Sequence, residues 1–299
     1  MRINRREFIQ SGLTGLASAA LLRQQGLAAY AAAKGVKFRV GVPDWNLRQT
    51  VKVEAVALAK KIGFDGVQVS IGMAPRGQQI DRLPLADREL QQKYLAESKR
   101  LGLPLTSLCL DILHQNGLKS DPLGQRWVAE SIPIAKAMGV KVILLPFFGK
   151  WAIKQRAEQE RVGEVLKEVA PLAEKAGIIL GLENTISARE NVQIMERARS
   201  QAVLVYYDVG NSTGEGYNII EEIRWLGNRR ICEVHLKDNP HYLGQGKIDF
   251  RAVIDALAEI GFDKWAQLEC DAPSGSVEND MLTNLKFIRG LMAGRQAQG

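Results

Sequence analysis

The stretch Gly181-Leu182-Glu183-Asn184-Thr185 ends an apolar run that begins near Ala176, and its carboxylate follows that run directly. Three later runs also end in a group that can bind a metal ion or move a proton: 203–207 before Asp208, 231–234 before His235 and 265–268 before Glu269. The four groups are 25, 27 and 34 residues apart, about one strand–helix unit each. Because the carboxyl ends of parallel strands lie on one side of a sheet, they are predicted to meet at one site.

Strand-like and helix-like patterns alternate outward from this stretch, from Val36 to the end of the chain. The predicted strands are 37–42, 67–70, 105–110, 140–145, 177–182, 203–207, 231–234 and 265–268. Helices are predicted at about 50–62, 87–101, 122–138, 155–175, 219–226, 250–260 and 277–292. Eight apolar strands alternating with helices favour a closed parallel barrel over an open sheet. We therefore predict one α/β domain, a single (β/α)8 TIM barrel spanning residues 34–299.

Residues 1–33 have the composition of a targeting segment. Asn4-Arg5-Arg6-Glu7-Phe8 precedes a modestly apolar stretch, 9–22, and a run of small residues, 28–33. The Arg-Arg-x-Phe core looks like a twin-arginine signal peptide. We expect recognition by the twin-arginine export machinery, cleavage near residues 31–34 and a periplasmic protein. The apolar stretch is too short for a stable membrane anchor, and the alternative is an amphipathic N-terminal helix that is retained.

The composition is that of an ordinary globular protein. Of 299 residues, 46% are hydrophobic and 24% charged, and the formal net charge is +7. Outside residues 1–33 there are 36 basic and 32 acidic residues, without a basic stripe interleaved with aromatic residues. Nucleic acid is therefore not an expected partner. Cys109, Cys232 and Cys270 are widely spaced and are predicted to be buried thiols.

The predicted site has an oxygen-rich donor set with one imidazole. Such a set suits one divalent ion, Mn, Mg, Co or Zn, better than a thiolate-preferring metal. An ion there could polarise a carbonyl, while Glu183 and Glu269 transfer a proton next to it through an enediolate. Asp208 and His235 would mainly hold the ion. Because neutral imidazole is the form that binds metals, activity is expected to fall in acid.

Five segments resemble a known family: Gly-Leu-Glu-Asn at 181–184, Asp-Val-Gly-Asn at 208–211, His-Leu-Lys-Asp at 235–238, Leu-Gly-Gln-Gly-Lys-Ile-Asp-Phe at 243–250 and Leu-Glu at 268–269. They are similar to the xylose-isomerase-like barrels of the sugar phosphate isomerase/epimerase family, over the chain from about residue 36. The resemblance implies a divalent ion held by Glu183, Asp208, His235 and Glu269, with the two glutamates exchanging protons.

The resemblance is incomplete at the predicted substrate-binding positions. Asn211 and His241 stand where the 3-epimerases of the family have a histidine and an arginine. Lys237 and His241 remain candidates for polar contacts with substrate. Trp45, His114 and the pair 147–148 follow other predicted strands and are expected to form pocket walls, although core packing and solvated loops would explain the same residues.

Three other functions are alternatives to an isomerase or epimerase. A zinc-dependent endonuclease of this fold needs many histidines, and the chain has three, His114, His235 and His241. A lyase or hydrolase acting on 3-keto-glycosides could use the same metal and glutamate pair. A non-catalytic periplasmic sugar-binding barrel is disfavoured because it has no use for two buried carboxylates. The sugar or glycoside bound, the ion and the formation of a homo-oligomer stay open.

Overall fold

The computed structural model describes residues 35–296, so the predicted signal peptide at 1–33 lies outside the described residues. Eight parallel strands form a closed barrel in which each strand pairs with the next and the last pairs with the first. This confirms the predicted (β/α)8 fold. The strands are β1 Arg39–Pro43, β2 Gly66–Ser70, β3 Leu105–Cys109, β4 Val142–Pro146, β5 Ile179–Glu183, β6 Val203–Asp208, β7 Ile231–Leu236 and β8 Trp265–Leu268.

Helices lie between the strands and cover the outside of the barrel. They are α1 Glu54–Ile62, α2 Arg88–Leu101, α3 Pro122–Ala137, α4 Arg156–Ala176, α5 Ala188–Ala198, α6 Val209–Gly214, α7 Ile219–Arg230, α8 Phe250–Glu259 and α9 Val277–Gln296. Short 3-10 turns occupy Pro84–Ala86, Asp111–His114 and Gly149–Trp151. Within residues 35–296, no helix combines the length and the apolar content that crossing a membrane requires.

Two of these helices were not predicted. The segment between β5 and β6 forms α5, which begins with a capping box: the Ser187 backbone N–H donates to Glu190 at 2.9 Å, and the Glu190 N–H donates to the Ser187 hydroxyl at 3.3 Å. That Ser-x-x-Glu pattern is a helix start signal in the sequence. The short helix α6 begins directly after Asp208, whose side chain caps it.

Below the site, the barrel interior is closed by a polar layer that we call the barrel floor, made of Thr106, Ser107, Tyr206, Glu233 and Gln267. Glu233 Oε2 accepts hydrogen bonds from the Ser107 and Tyr206 hydroxyls and from Gln267 Nε2, at 2.8, 2.9 and 2.9 Å. Gln267 also donates to the Thr106 hydroxyl at 2.8 Å. Burial raises the pKa of Glu233 to about 7. The floor separates the site from the amino-terminal end of the barrel.

All three cysteines are free and buried, as predicted. Cys109 lies on β3, Cys232 on β7 and Cys270 just after β8. Burial raises the pKa of each thiol, so the thiolate form is suppressed. They pack as small apolar groups.

Candidate active site

The four groups predicted to converge do so at the carboxyl-terminal mouth of the barrel. We call them the carboxylate–histidine cluster: Glu183 ends β5, Asp208 ends β6, His235 lies on β7, and Glu269 follows β8. His235 Nδ1 lies 3.0 Å from Glu183 Oε1, 3.4 Å from Glu269 Oε2 and 3.7 Å from Asp208 Oδ2. One ligand atom from each residue lies within 4.8 Å of the others, a spread that one cation can bridge.

Asp208 shows how the cluster fits a cation. Its Oδ1 accepts a hydrogen bond from the backbone N–H of Asn211 at 2.7 Å, which caps α6. Its Oδ2 is buried and accepts no well-aligned hydrogen bond, although the Lys237 ammonium lies 2.8 Å away. Buried charged oxygens are normally hydrogen-bonded or bound to a metal. Asp208 Oδ2 therefore has an ion-pair partner in Lys237 but no aligned hydrogen-bond donor. This buried oxygen and the oxygen-rich donor set fit a divalent ion.

The imidazole of His235 is oriented by a residue that the sequence analysis missed. Its Nε2 lies 3.0 Å from Oε1 of Gln68, a buried side chain in the middle of β2. When Nε2 donates its hydrogen to this oxygen, the lone pair of Nδ1 points at the three carboxylates. A second partner of this kind fixes the tautomer of metal-binding histidines. The only signal in the sequence is one amide between two valines, Val67 and Val69.

The two glutamates differ in acidity. Burial, the largest influence, raises the pKa of Glu183 to about 7, and the charges of Glu269 and Asp208 act in the same direction. Burial also acts on Glu269, but the positive charges of His235 and Lys237 outweigh it and lower the pKa of Glu269 below its usual range. Environments that shift the pKa values of two carboxyl groups in opposite directions are typical of acid–base pairs.

In the absence of a cation, the three carboxylates also determine the protonation of the His235 imidazole. Burial lowers the pKa of His235, but Glu269 and Glu183 raise it further, so the net shift is upward. The metal-free cluster therefore favours an imidazolium. A cation at Nδ1 takes the place of that proton, which couples metal binding to proton release.

A cavity of about 330 Å³, which we call the cluster cavity, opens above the carboxylate–histidine cluster. This volume is at the lower end of the range of roughly 300–1,000 Å³ found for small-molecule sites. Its lining includes four of the predicted substrate-binding residues, Trp45, His114, Asn211 and Lys237. Phe148 also lines it, whereas Phe147 packs in the hydrophobic core.

His241 is placed elsewhere. It lines a neighbouring cavity of about 520 Å³ together with Lys247 and the loop after β7. Asn211 and Lys237 line both cavities and therefore form the partition between them. Any contact of His241 with a substrate requires a molecule that reaches past this partition.

Several of the predicted substrate-binding side chains contact the cluster itself. The indole N–H of Trp45 donates to Glu269 Oε1 at 3.2 Å, and Lys237 Nζ lies 2.6 Å from Glu269 Oε2. Asn211 Nδ2 lies 3.5 Å from Glu183 Oε1. The ring of His114 stacks on that of Phe148, with centroids 6.1 Å apart. These residues hold the two glutamates in place and shape the cavity around them.

Two further carboxyl groups follow strands and were not predicted. Asp111 starts the turn after β3, lines the cavity, and accepts a hydrogen bond from the Gly72 N–H at 2.7 Å. Burial raises its pKa to about 7. Asp44 follows β1 and is held by the Ser70 hydroxyl at 2.7 Å and by two backbone N–H groups. The signal that predicted the cluster, an acid directly after an apolar run, applies to both of them.

Comparisons with known proteins agree with the barrel fold. The chain is 29% identical over 230 residues to the 2-epi-5-epi-valiolone 7-phosphate 2-epimerase of an Actinoplanes species, covering 73% of this chain and 82% of that protein. The D-psicose 3-epimerase of Clostridium cellulolyticum H10, solved with D-tagatose, superposes with a TM-score of 0.70 at 20% identity over 85% of this chain and 99% of that one. The IolI protein, solved with a bound zinc atom, gives 0.67 at 20% identity over 86% and 99%.

A family model also matches most of the chain. It spans residues 56–291 and therefore includes β2 to β8 and the whole carboxylate–histidine cluster. The chain belongs to the xylose isomerase-like TIM barrel family.

Proposed function

We propose that this protein is a metal-dependent sugar isomerase or epimerase that moves a proton at a carbon next to a carbonyl. The observation that carries the proposal is the pair Glu183 and Glu269, which approach one imidazole from β5 and β8 with pKa values shifted in opposite directions. The epimerase names of its relative and of its structural neighbour support it.

The ionised carboxylate of Glu269 removes the proton from the substrate carbon, and the carbonyl electrons shift to give an enediolate. Glu183, which holds a proton more readily, returns one to the opposite face of that carbon or to the neighbouring carbon. The first outcome is an epimerisation and the second an isomerisation. Glu183, Asp208, His235 and Glu269 would hold one divalent ion, Mn, Mg, Co or Zn. When bound, that ion supplies Lewis-acid polarisation of the substrate oxygens.

The test is solvent exchange. Purified protein with Mn²⁺ in D₂O is incubated with a panel of ketoses and 3-keto-glycosides, and deuterium at the carbon next to the carbonyl is measured by NMR. We expect incorporation without bond cleavage. Glu183→Gln and Glu269→Gln should each lower the exchange rate by about 10²–10⁴-fold, the usual contribution of a general acid or base.

The matched control is Glu278→Gln. Glu278 is a partly exposed residue paired with Lys61 on the outside of the barrel, so the same change there should leave exchange unaltered. Equal exchange in all variants would contradict the assigned roles.

A second candidate is a lyase on 3-keto-glycosides, which would share the first proton transfer and then expel the aglycone. The neighbouring cavity supports the lyase as a candidate. This cavity adjoins the cluster cavity at Asn211 and Lys237 and offers room for the second group of a glycoside. Release of an aglycone in the same assay would identify the lyase. Ligand binding without exchange in the unaltered protein, retained in Glu183→Gln, would identify a sugar-binding barrel.

We also propose that residues 1–33 are a twin-arginine signal peptide and that the mature protein is periplasmic. The support is the Arg5-Arg6 pair ahead of an apolar stretch and a run of small residues. Mass measurement of the protein from a periplasmic fraction should give an N-terminus near residues 31–34. Replacing both arginines by lysine should keep the precursor inside the cell, and export of that variant would contradict the proposal.

A further inference from the structure

The charges around the cluster cavity bear on the kind of sugar it takes. Among the described residues that line it, Asp111, Glu183 and Glu269 are acidic, and Lys237 is the one Lys or Arg. His114 also lines it, but burial lowers the pKa of His114, so its ring is neutral at neutral pH. An anionic group on a substrate therefore has one ammonium in this cavity as a possible partner.

That ammonium is already engaged. Lys237 Nζ lies 2.6 Å from Glu269 Oε2 and 2.8 Å from Asp208 Oδ2. Drawing Lys237 away to meet a phosphate would leave two carboxylates without their counter-charge, which is strongly unfavourable in a buried site. The lysine is therefore part of the cluster and unsuited to receiving an anion.

Charge balance leads to the same conclusion when an ion is bound. The three carboxylates of the cluster carry three negative charges, and a divalent ion with Lys237 carries three positive ones. Asp111 lies outside this balance and is a further acid in the cavity wall. A phosphate ester would meet no uncommitted cation there, and at a pH above the Asp111 pKa of about 7 it would face a like-charged carboxylate.

The rest of the lining suits hydroxyl groups and a sugar ring. Trp45 and Phe148 present aromatic surfaces, and Thr50, Ser70 and Asn211 are uncharged polar residues. Such side chains recognise a polyol through hydrogen bonds and apolar contact, without a need for charge.

We propose that the substrate is an uncharged polyhydroxy carbonyl compound, either a free ketose or a keto-glycoside, and that Asp111 discriminates against its phosphate ester. The inference rests on the proposed function and narrows it to one substrate class. Asp111 is held by the Gly72 N–H at 2.7 Å, so it keeps its place in the wall. It can accept a hydrogen bond from a substrate hydroxyl and repel a phosphate at the same position.

The neighbouring cavity offers the competing arrangement. A phosphate that passed the partition of Asn211 and Lys237 would reach Lys247 and His241. Lys247 is exposed and touches no member of the cluster, so Lys247→Ala tests that route without disturbing the proposed chemistry.

The experiment compares one ketose with its own phosphate ester. Deuterium exchange with the Mn²⁺-loaded full chain is measured at pH 8, above the pKa of Asp111, for ribulose and for ribulose 5-phosphate, together with a 3-keto-glucoside. We expect kcat/KM for the better uncharged compound to exceed that for the phosphate at least tenfold, about 1.4 kcal/mol. Asp111→Asn should lower this ratio several-fold by raising kcat/KM for the phosphate ester. Asp263→Asn, an exposed change near the opposite end of the barrel, should leave the ratio unaltered.

The outcomes separate the two proposals. Faster exchange with the phosphate, or a loss of phosphate exchange in Lys247→Ala, overturns the substrate class while the isomerase or epimerase function stands. An unchanged ratio in Asp111→Asn overturns the role of Asp111. If no compound exchanges, the proposed function fails, and titration calorimetry with the same compounds still decides the class. Tighter binding of the uncharged compound upholds it, and tighter binding of the phosphate overturns it.

Discussion

At the scale of single residues, the imidazole of His235 depends on Gln68 for its orientation. Gln68→Leu removes the acceptor of the Nε2 hydrogen, so the ring loses its fixed tautomer. Changes to such supporting partners typically weaken metal affinity by about 10–100-fold. We expect a loss of that size for Mn²⁺ or Zn²⁺, measured by titration calorimetry at constant pH.

Gln267→Leu is the matched control, because Gln267 is also a buried glutamine inside the barrel but belongs to the barrel floor and bonds to Thr106 and Glu233. It should reduce stability and leave metal affinity within a factor of about two, a small difference on the scale where tenfold is 1.4 kcal/mol. Equal losses in the two variants would show that the effect of Gln68→Leu is a general loosening of the barrel.

The same residues show how much of the candidate site could be predicted from the sequence. Glu183, Asp208, His235 and Glu269 were predictable because each directly follows an apolar run, and the parallel topology brings such positions together. Gln68 was not predictable, since its partner lies 167 residues away and no local pattern links them. Asp111 also directly follows an apolar run, but it was not among the predicted site residues. Its place in the cavity wall became apparent from the structure.

At the scale of elements, the strands were predicted to within about two residues because apolar runs in a closed barrel are continuous. The helix α5 was missed because six of its eleven residues are polar, in Ala-Arg-Glu-Asn-Val-Gln-Ile-Met-Glu-Arg-Ala. Its capping box gave the local signal for its start. The helix α7 runs four residues beyond the predicted end, past a non-helical Gly227.

The pairing of β1 with β8 leads to a prediction. Gly41 lies opposite Gln267 in the register, and a Cβ placed on Gly41 would meet a Gln267 side-chain oxygen. Gly41→Ala must displace that amide from its bonds to Thr106 and Glu233. Overpacking of this kind costs about 1–3 kcal/mol. Urea unfolding should show that loss, and an unchanged midpoint would contradict it.

At the scale of the whole molecule, Glu233 makes stability depend on pH. Its pKa is about 7 in the folded protein against a usual 4.5, so folding favours the protonated form. The contribution is fully present below about pH 4.5 and is lost as the pH rises through 7. The shift corresponds to roughly 3 kcal/mol, at 1.36 kcal/mol per pH unit.

Glu233→Gln keeps a neutral side chain at every pH. Between pH 5 and pH 8, the metal-free protein should therefore lose more unfolding free energy than this variant, by an amount of up to about 3 kcal/mol. Urea unfolding at the two pH values measures both losses. Since Glu183 and His235 titrate in both proteins, their contributions drop out of the difference between the two losses. Identical losses would show that Glu233 does not titrate in this range.

The capping of α6 has one more consequence. Since the helix backbone already uses one lone pair of Asp208 Oδ1, this carboxylate would offer a metal mainly its other oxygen, and a nitrogen is among the four donors. Ca²⁺ takes six to eight oxygen ligands and often grips both oxygens of a carboxylate. We therefore expect the cluster to bind calcium weakly and to prefer a smaller ion that accepts a nitrogen ligand, even where calcium is the more abundant of the two.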